Sequence, residues 1–431
     1  MSGGNPPAAN QLLFVNARQV VTCAGPARAR RGREMTDVEI RERTGVLVAG
    51  ERIVALGDEA ELRAVAPSAA IVDCAGGVLT PGFVDSHTHA IFGRPRYEEQ
   101  ELRAAGTGYM EIARRGGGIH ASVRDLRARS EDDLVALAIP RLRRLAASGV
   151  TTVEVKSGYG LTVDDELKTL RAVRRIAAQL PMRLVATFLG AHEIPLEYRD
   201  KASRRDEYIG LLVGEMIPRV ATEGLARFAD VFCEPGVYTV SESRRILIAA
   251  RKHGLLLKLH ADELEGGGGA ELAAELGATS ADHLAAISEK GIAALAGAET
   301  VATLLPATMT FLGKTRQAPA RALIDGGASI ALATDFNPGT SPTLNFPLLL
   351  TLGVSQLHLS VAESMIAATV NGAAALALSG ETGQIEPGFS ADIALHAVND
   401  VRELPYWFGD QRCIGSWIRG KACHPYDLPV S

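Results

Sequence analysis

The sequence predicts an α/β chain: a (β/α)8 TIM-type barrel joined to a small composite β-sandwich. Three observations predict it. Eight short apolar segments alternate with amphipathic Ala/Leu/Arg-rich segments of helix length between residues 80 and 335. Histidine or aspartate recurs where several of those apolar segments end. Strand-like stretches flank this block on both sides, each too short to bury a core alone, so they are expected to pack together.

Taken in order, residues 1–10 are rich in Gly, Pro, Ala and Asn and are expected to fray. "QLLFVNARQVVT" and "GVLVAGERIVALG" follow as short strands, the second a hairpin turning at Gly50-Glu51. Between them, the charge-dense stretch 27–43 is expected to be a solvated loop or edge. Residues 1–79 form the N-terminal part of the sandwich, 80–378 the barrel and 379–431 the C-terminal part. The barrel strands are placed at 82–89, 151–156, 183–192, 231–234, 257–262, 279–283, 300–305 and 329–335. Helical stretches such as 131–149, 163–180 and 241–254 separate them, and two more run from Asp335 to about Leu378. A doubly wound open sheet competes, but no GxGxxG opens a helix after the first strand. The glycine runs at 116–118 and 266–269 lack a following Lys-Ser/Thr and are expected to be flexible loops, not phosphate loops.

Composition narrows the function. Apolar residues make up 47% and charged residues 22%, with a net charge of −5, which gives no reason to expect nucleic-acid binding. No run of about 18 apolar residues suggests a membrane span. The five cysteines are scattered and form no CxxC pair, which fits a reducing cytoplasm without scaffold disulfides.

The barrel's polar residues carry the chemistry. His87 and His89 close the first strand, His192 the third, His260 the fifth, His283 the sixth and Asp335 the eighth. Strand C-termini of such a barrel converge on one face, and residues two apart point the same way. His87, His89, His260 and Asp335 are therefore candidate ligands for one Zn2+ or another first-row ion. A lone HxH pair is more often a surface pair; the recurrence on other strand ends separates the two readings. Glu263 in "HADE" and His283 in "ADHL" are candidates for moving protons, against ordinary roles as a helix-dipole carboxylate and a core histidine. Arg94, Arg96, Tyr159, Asn337, Gly339 and Thr340 line the rest of the rim. An arginine fork there points to a small substrate bearing a carboxylate, with Arg94 expected to be a solvated charge.

"PGFVDSHTH", a later strand histidine and a terminal aspartate resemble the amidohydrolase superfamily. The blocks "GFVDSHTHAIFG", "GTGYMEIARRGGGI", "TTVEVKSGYGL", "LGAHEIP", "HADE", "LLPATMTFL" and "ATDFNPGTSPTLN" resemble its imidazolonepropionase family, in order across the barrel. The resemblance implies one zinc or iron ion on His87, His89, His260 and Asp335, and substrate contact by Arg96, Tyr159, His192 and Thr340. It puts Glu263 and His283 at near-metal acid/base positions, and Asn337 and Gly339 at the glutamate end of the opened product. It implies hydrolysis of 4-imidazolone-5-propanoate in histidine degradation, and a homodimer. Glu234, in "FCEPG", is a disfavoured second-metal ligand. The family carries glycine at the position of Arg94, so Arg94 is a competitor of Arg96 for the carboxylate. The alternatives are a cytosine- or guanine-type deaminase of the same superfamily, which needs no carboxylate-binding arginine, and a non-catalytic scaffold, which would have lost metal ligands.

Overall fold

The computed structural model describes residues 11–107, 111 and 116–424. The N-terminal ten residues and part of the "GTGYMEIARRGGGI" block lie outside them.

Eight parallel strands run in sequential order around one sheet: Phe83–Asp85, Val150–Lys156, Arg183–Ala191, Phe228–Cys233, Leu256–Ala261, Ser280–His283, Val301–Leu304 and Ile330–Leu332. The seam between the first and last is closed past their regular ladders. There the Asp335 N–H donates to the His87 carbonyl (3.0 Å) and the His89 N–H to the Phe336 carbonyl (2.9 Å). The first strand is thus shorter than 82–89, and both of its histidines sit on the extended segment that closes the barrel.

Period-two alternation sorts each strand's side chains. Val153, Val155, Val231, Leu257 and Leu259 join the apolar layer beneath the helices. Their neighbours Glu154, Lys156, Asp230, Lys258 and His260 are also buried and pair with one another, within and across strands, inside the barrel. The helices start where their caps dictate. Ser130 and Asp133 form a capping box on Glu131–Ala147, Thr162 caps Val163–Ala177, and Thr239 with Glu242 boxes Val240–Lys252.

The chain's two ends build the sandwich together. One sheet is N-terminal only, in the order Arg52–Gly57, Gly45–Ala49, Gln11–Val15, Ala70–Asp73. The other interleaves both ends: Lys421–His424, Cys413–Ile418, Ile393–His396, Val78–Pro81, Gln19–Val21, Ile40–Arg41. Phe14, Val46, Val48, Leu79, Ile393, Leu395 and Trp417 fill the space between them.

Three expectations change. Stretch 27–43 is not a solvated loop throughout: Arg30 and Met35 are buried, and the Arg31 Nε donates to the Gly327 carbonyl of the barrel (3.1 Å). Asn371 fixes this segment by accepting from the Arg30 N–H (2.7 Å) and donating to the Arg30 and Ile330 carbonyls. Between Asp335 and Leu378 there are three helices, not two, Phe346–Leu357, Val361–Ala368 and Val370–Ala374, because Thr369 leaves the helical region at φ −128°, ψ −85°. The 266–269 glycine run is anchored. The Asp262 carboxylate accepts the N–H groups of Gly267, Gly268, Gly269 and Ala270, and Gly268 at φ +83° takes a turn that L side chains disfavour.

Candidate active site

At the C-terminal mouth of the barrel the four expected ligands meet. Asp335 Oδ1 lies 3.6 Å from His87 Nε2 and 3.5 Å from His89 Nε2. His260 Nε2 lies 3.5 Å from His89 Nε2, and the His87 and His260 ring centres are 4.6 Å apart. Donors bonded at about 2.1 Å to one tetrahedral centre are separated by roughly 3.4 Å. The cluster therefore has the dimensions to hold a metal ion.

The chemistry of the donors agrees with the spacing. His87 Nδ1 lies 2.6 Å from Asp282 Oδ2, and His260 Nδ1 lies 3.0 Å from Asp230 Oδ2. At His87 this hydrogen bond keeps the proton on Nδ1 and turns the Nε2 lone pair to the centre, whereas at His260 the Asp230 carboxylate is close but makes no hydrogen bond to Nδ1. His87 Nε2 is a buried nitrogen with no hydrogen-bond partner of its own, which a coordinated ion would satisfy. Burial, reinforced by neighbouring cationic groups, pushes the pKa values of His87, His89 and His260 well below the usual range, so all three are neutral as ligation requires. Asp335 is held by the Thr308 hydroxyl on its Oδ2 (2.7 Å), while burial raises its pKa to about 7. Asp262, His283 and Asp335 all adopt positive φ (50°, 81° and 51°), so backbone strain concentrates at these strand ends.

The other candidates form two groups. Next to the cluster, His192 stacks on His89 at 4.9 Å and 14°, with Nδ1 3.1 Å from the Gly158 carbonyl. Tyr159 is 5.3 Å from His192 and 5.8 Å from His89, ring centre to ring centre. His283 Nε2 lies 3.6 Å from Glu263 Oε2, and both side chains are buried. Burial lowers the His283 pKa to about 3 and raises that of Glu263 well above its ordinary value, with the Asp335 charge adding to the latter. The Glu263 loop is pinned from the fourth strand: Glu234 accepts the N–H groups of Glu263, Leu264 and Glu265, so its carboxylate serves the loop rather than a second ion.

The second group is the turn after the eighth strand. Asn337 spends its amide inside that turn. Nδ2 donates to the Asp335 carbonyl (2.7 Å), and Oδ1 accepts from the Gly339 and Thr340 N–H groups and the Thr340 hydroxyl. Both Asn337 and Thr340 thus shape the rim in this structure. Gly339 has a steric role as well, since a Cβ there would lie 1.4 Å from Arg96 Nη2. Arg96 is nearly buried, its Nε 3.4 Å from Glu99 Oε1 and its Nη1 donating to the Ser122 hydroxyl (3.3 Å). Arg94 points elsewhere. It pairs with Glu98 at 2.9 Å and is 65% exposed, as a solvated charge would be.

Several residues were not legible as functional. Glu99 and Arg103 support the rim: Glu99 accepts the Gly118 N–H (2.7 Å), and Arg103 donates to the Gly339 carbonyl (3.0 Å). Asp230, Glu154, Lys156 and Lys258 form an ionic group inside the barrel below the cluster. Their signal was the spacing of two in "EVK" and "KLH", which places a charge on the same strand face as a site residue.

A parallel eight-stranded barrel carrying this His/Asp cluster defines a metal-dependent hydrolase class, and residues 78–423 match the amidohydrolase family, to which the chain belongs. Within it the similar relatives include imidazolonepropionases. One from Symbiobacterium thermophilum is 48% identical, covering 92% of this chain and 93% of its own. One from Solibacter usitatus is 42% identical, covering 95% and 98%. The chain is thus an imidazolonepropionase-family hydrolase of a carbon–nitrogen bond. Solved structures support the fold alone. A zinc-bound adenosine deaminase from Xanthomonas campestris superposes at a TM-score of 0.70 with 18% identity, covering 99% of this chain and 96% of its own. Ochratoxinase from A. niger does so at 0.71 with 15% identity, covering 98% of each chain. Among the described residues no helix is long and apolar enough to cross a membrane.

Proposed function

We propose that this chain hydrolyses 4-imidazolone-5-propanoate to N-formimidoyl-L-glutamate in the cytoplasm, using one zinc or iron ion held by His87, His89, His260 and Asp335. When bound, the ion supplies Lewis acidity that lets a water ionise near neutral pH. The reaction adds one water across the ring amide. Its oxygen ends on the carbonyl carbon, the ring C–N bond breaks, and the departing nitrogen takes a proton.

The chain's own residues divide that work. His283, with its buried Nε2 unpartnered and 3.6 Å from Glu263, is the group to donate toward the oxyanion and, with Glu263, to carry the proton to the leaving nitrogen. His192 and Tyr159 pack against His89 and wall the ring's position. Arg96 receives the propionate and so fixes which carbonyl faces the cluster.

The observation that carries the substrate is Arg96, nearly buried, seated against Gly339 and within electrostatic reach of His192. A neutral nucleobase has no use for such a group, which disfavours the deaminase alternative. The test follows loss of substrate absorbance with and without chelator, in wild type and in Arg96→Ala. The reading expects chelator-sensitive turnover and a raised KM in the variant. Turnover indifferent to chelator, or a KM unchanged by the substitution, would overturn it.

A further inference from the structure

Among the charged side chains fully buried inside the barrel are Glu154, Lys156, Asp230, Lys258 and Asp282, five that cluster together. Formally they sum to one negative charge. Taking that many ions out of water is costly unless each is paired, so their arrangement needs a physical reason. A barrel of this size fills equally well with branched aliphatic residues.

Lys156 supplies the reason. Its Nζ lies 2.7 Å from Asp230 Oδ2, 2.8 Å from Glu154 Oε2 and 3.6 Å from Asp282 Oδ2. The Asp230 and Asp282 oxygens are the same two atoms that face His260 Nδ1 and His87 Nδ1. A single ammonium therefore sits between the carboxylate hydrogen-bonded to His87 and the carboxylate beside His260, on different strands. The remaining oxygens are occupied: Asp230 Oδ1 accepts the His260 N–H (3.1 Å), and Asp282 Oδ1 accepts the Ser280 hydroxyl (2.6 Å). Asp230 is thus held by the His260 backbone N–H and the Lys156 ammonium, and Asp282 by the Ser280 hydroxyl and the His87 imidazole, with Lys156 3.6 Å away. Lys258, equally buried, is placed differently. It donates to the Ser86 carbonyl (2.8 Å) and lies 3.1 Å from Glu154 and 3.8 Å from Asp282, whereas the Asp230 carboxylate takes its hydrogen bond from Lys156 (2.7 Å).

We propose that Lys156 is a positioning residue for the metal centre, locking Asp230 and Asp282 so that His260 and His87 present Nε2 to one point. The proposal rests on the reading of His87, His89, His260 and Asp335 as ligands. Carboxylates behind ligating histidines typically change metal affinity about 10- to 100-fold. Removing the ammonium that fixes two of them should act on the same scale.

The experiment uses the full chain, stripped of metal and titrated with Co2+ against a competing chelator, with the visible cobalt spectrum recorded at one equivalent. Wild type tests the ligand reading by itself: no stoichiometric Co2+ binding sinks that reading and this proposal with it. Lys156→Met removes the bridge but leaves three carboxylates facing one cation. Lys156→Met/Glu154→Gln removes the bridge while keeping the interior's net charge, and is the variant expected to fold if the single one does not. With wild type binding, the expected result is a folded variant by circular dichroism whose Co2+ affinity falls about 10- to 100-fold, with a shifted cobalt spectrum. Affinity within about twofold of wild type and an unchanged spectrum, or a double variant that does not fold, would make Lys156 a structural pin and overturn the proposal while leaving the ligand reading intact.

Discussion

Inside the sandwich, Phe14 meets Trp417 edge-on at 4.8 Å among valines, leucines and isoleucines. Inside the barrel, equally inaccessible positions hold Glu154, Lys156, Asp230, Lys258 and Asp282. Apolar burial stabilises by about 25 cal/mol per Å2, whereas a buried ion pair roughly balances its desolvation at best. The comparison teaches that the two interiors answer to different demands. The sandwich and the layer beneath the helices supply stability; the barrel's centre gives up some of it to hold imidazoles in a fixed protonation state and direction.

The comparison breaks first if function does not depend on the barrel mouth. Asp335→Ala should lower hydrolysis on the order of a thousandfold, read as substrate absorbance, because the cluster loses the carboxylate proposed as a metal ligand. A loss under tenfold would remove the cluster from the reaction. Next, Trp417→Ala should cost about 3–5 kcal/mol in urea unfolding while kcat of the folded fraction stays near wild type. A large fall in kcat would mean that the sandwich reaches into the chemistry. Arg96→Ala should raise KM by roughly 10- to 100-fold with a smaller effect on kcat, since the lost contact binds the non-reacting end of the substrate.

Acid sharpens the comparison at the boundary between the two regions. His396 is fully buried on a sandwich strand, 3.0 Å from the Thr80 hydroxyl and 5.5 Å ring to ring from Phe83 of the first barrel strand, and burial lowers its pKa to about 3. The unfolded chain takes up a proton there near pH 6.5 and the folded chain does not. The neutral ring's stability is therefore intact above about pH 6.5 and lost progressively as pH falls toward 3. His396→Gln should flatten that part of the stability–pH curve relative to wild type, and identical slopes would assign the acid sensitivity elsewhere. The smallest effect is expected at Arg94→Ala: within about 0.5 kcal/mol in stability, and an unchanged KM, because its charge is solvated and paired with Glu98 away from the cluster.

The eight barrel strands and the composite sandwich were legible because strand and helix periods are local properties of the chain. His87, His89, His260 and Asp335 were legible because a parallel barrel gathers its strand ends whatever the loops do. The glycine run at 266–269 misled for a local reason. Four consecutive glycines resemble a flexible linker until Asp262, several residues away, gathers their N–H groups. Stretch 27–43 ends in the exposed edge strand Ile40–Arg41 as expected but misled at Arg30 and Arg31, because their partners, Asn371 and Gly327, are about 300 residues distant.

By itself the sequence determined which strands form, which way they run and which side chains arrive at the mouth, all consequences of short-range pattern and chain order. Only the tertiary structure decided that the ammonium of Lys156 answers Asp230, 74 positions on, and that His87 leans on Asp282, 195 positions on. A charge has no preferred sequence separation. Its partner is whatever the closed barrel brings within reach once water has been excluded, and no local pattern encodes that distance.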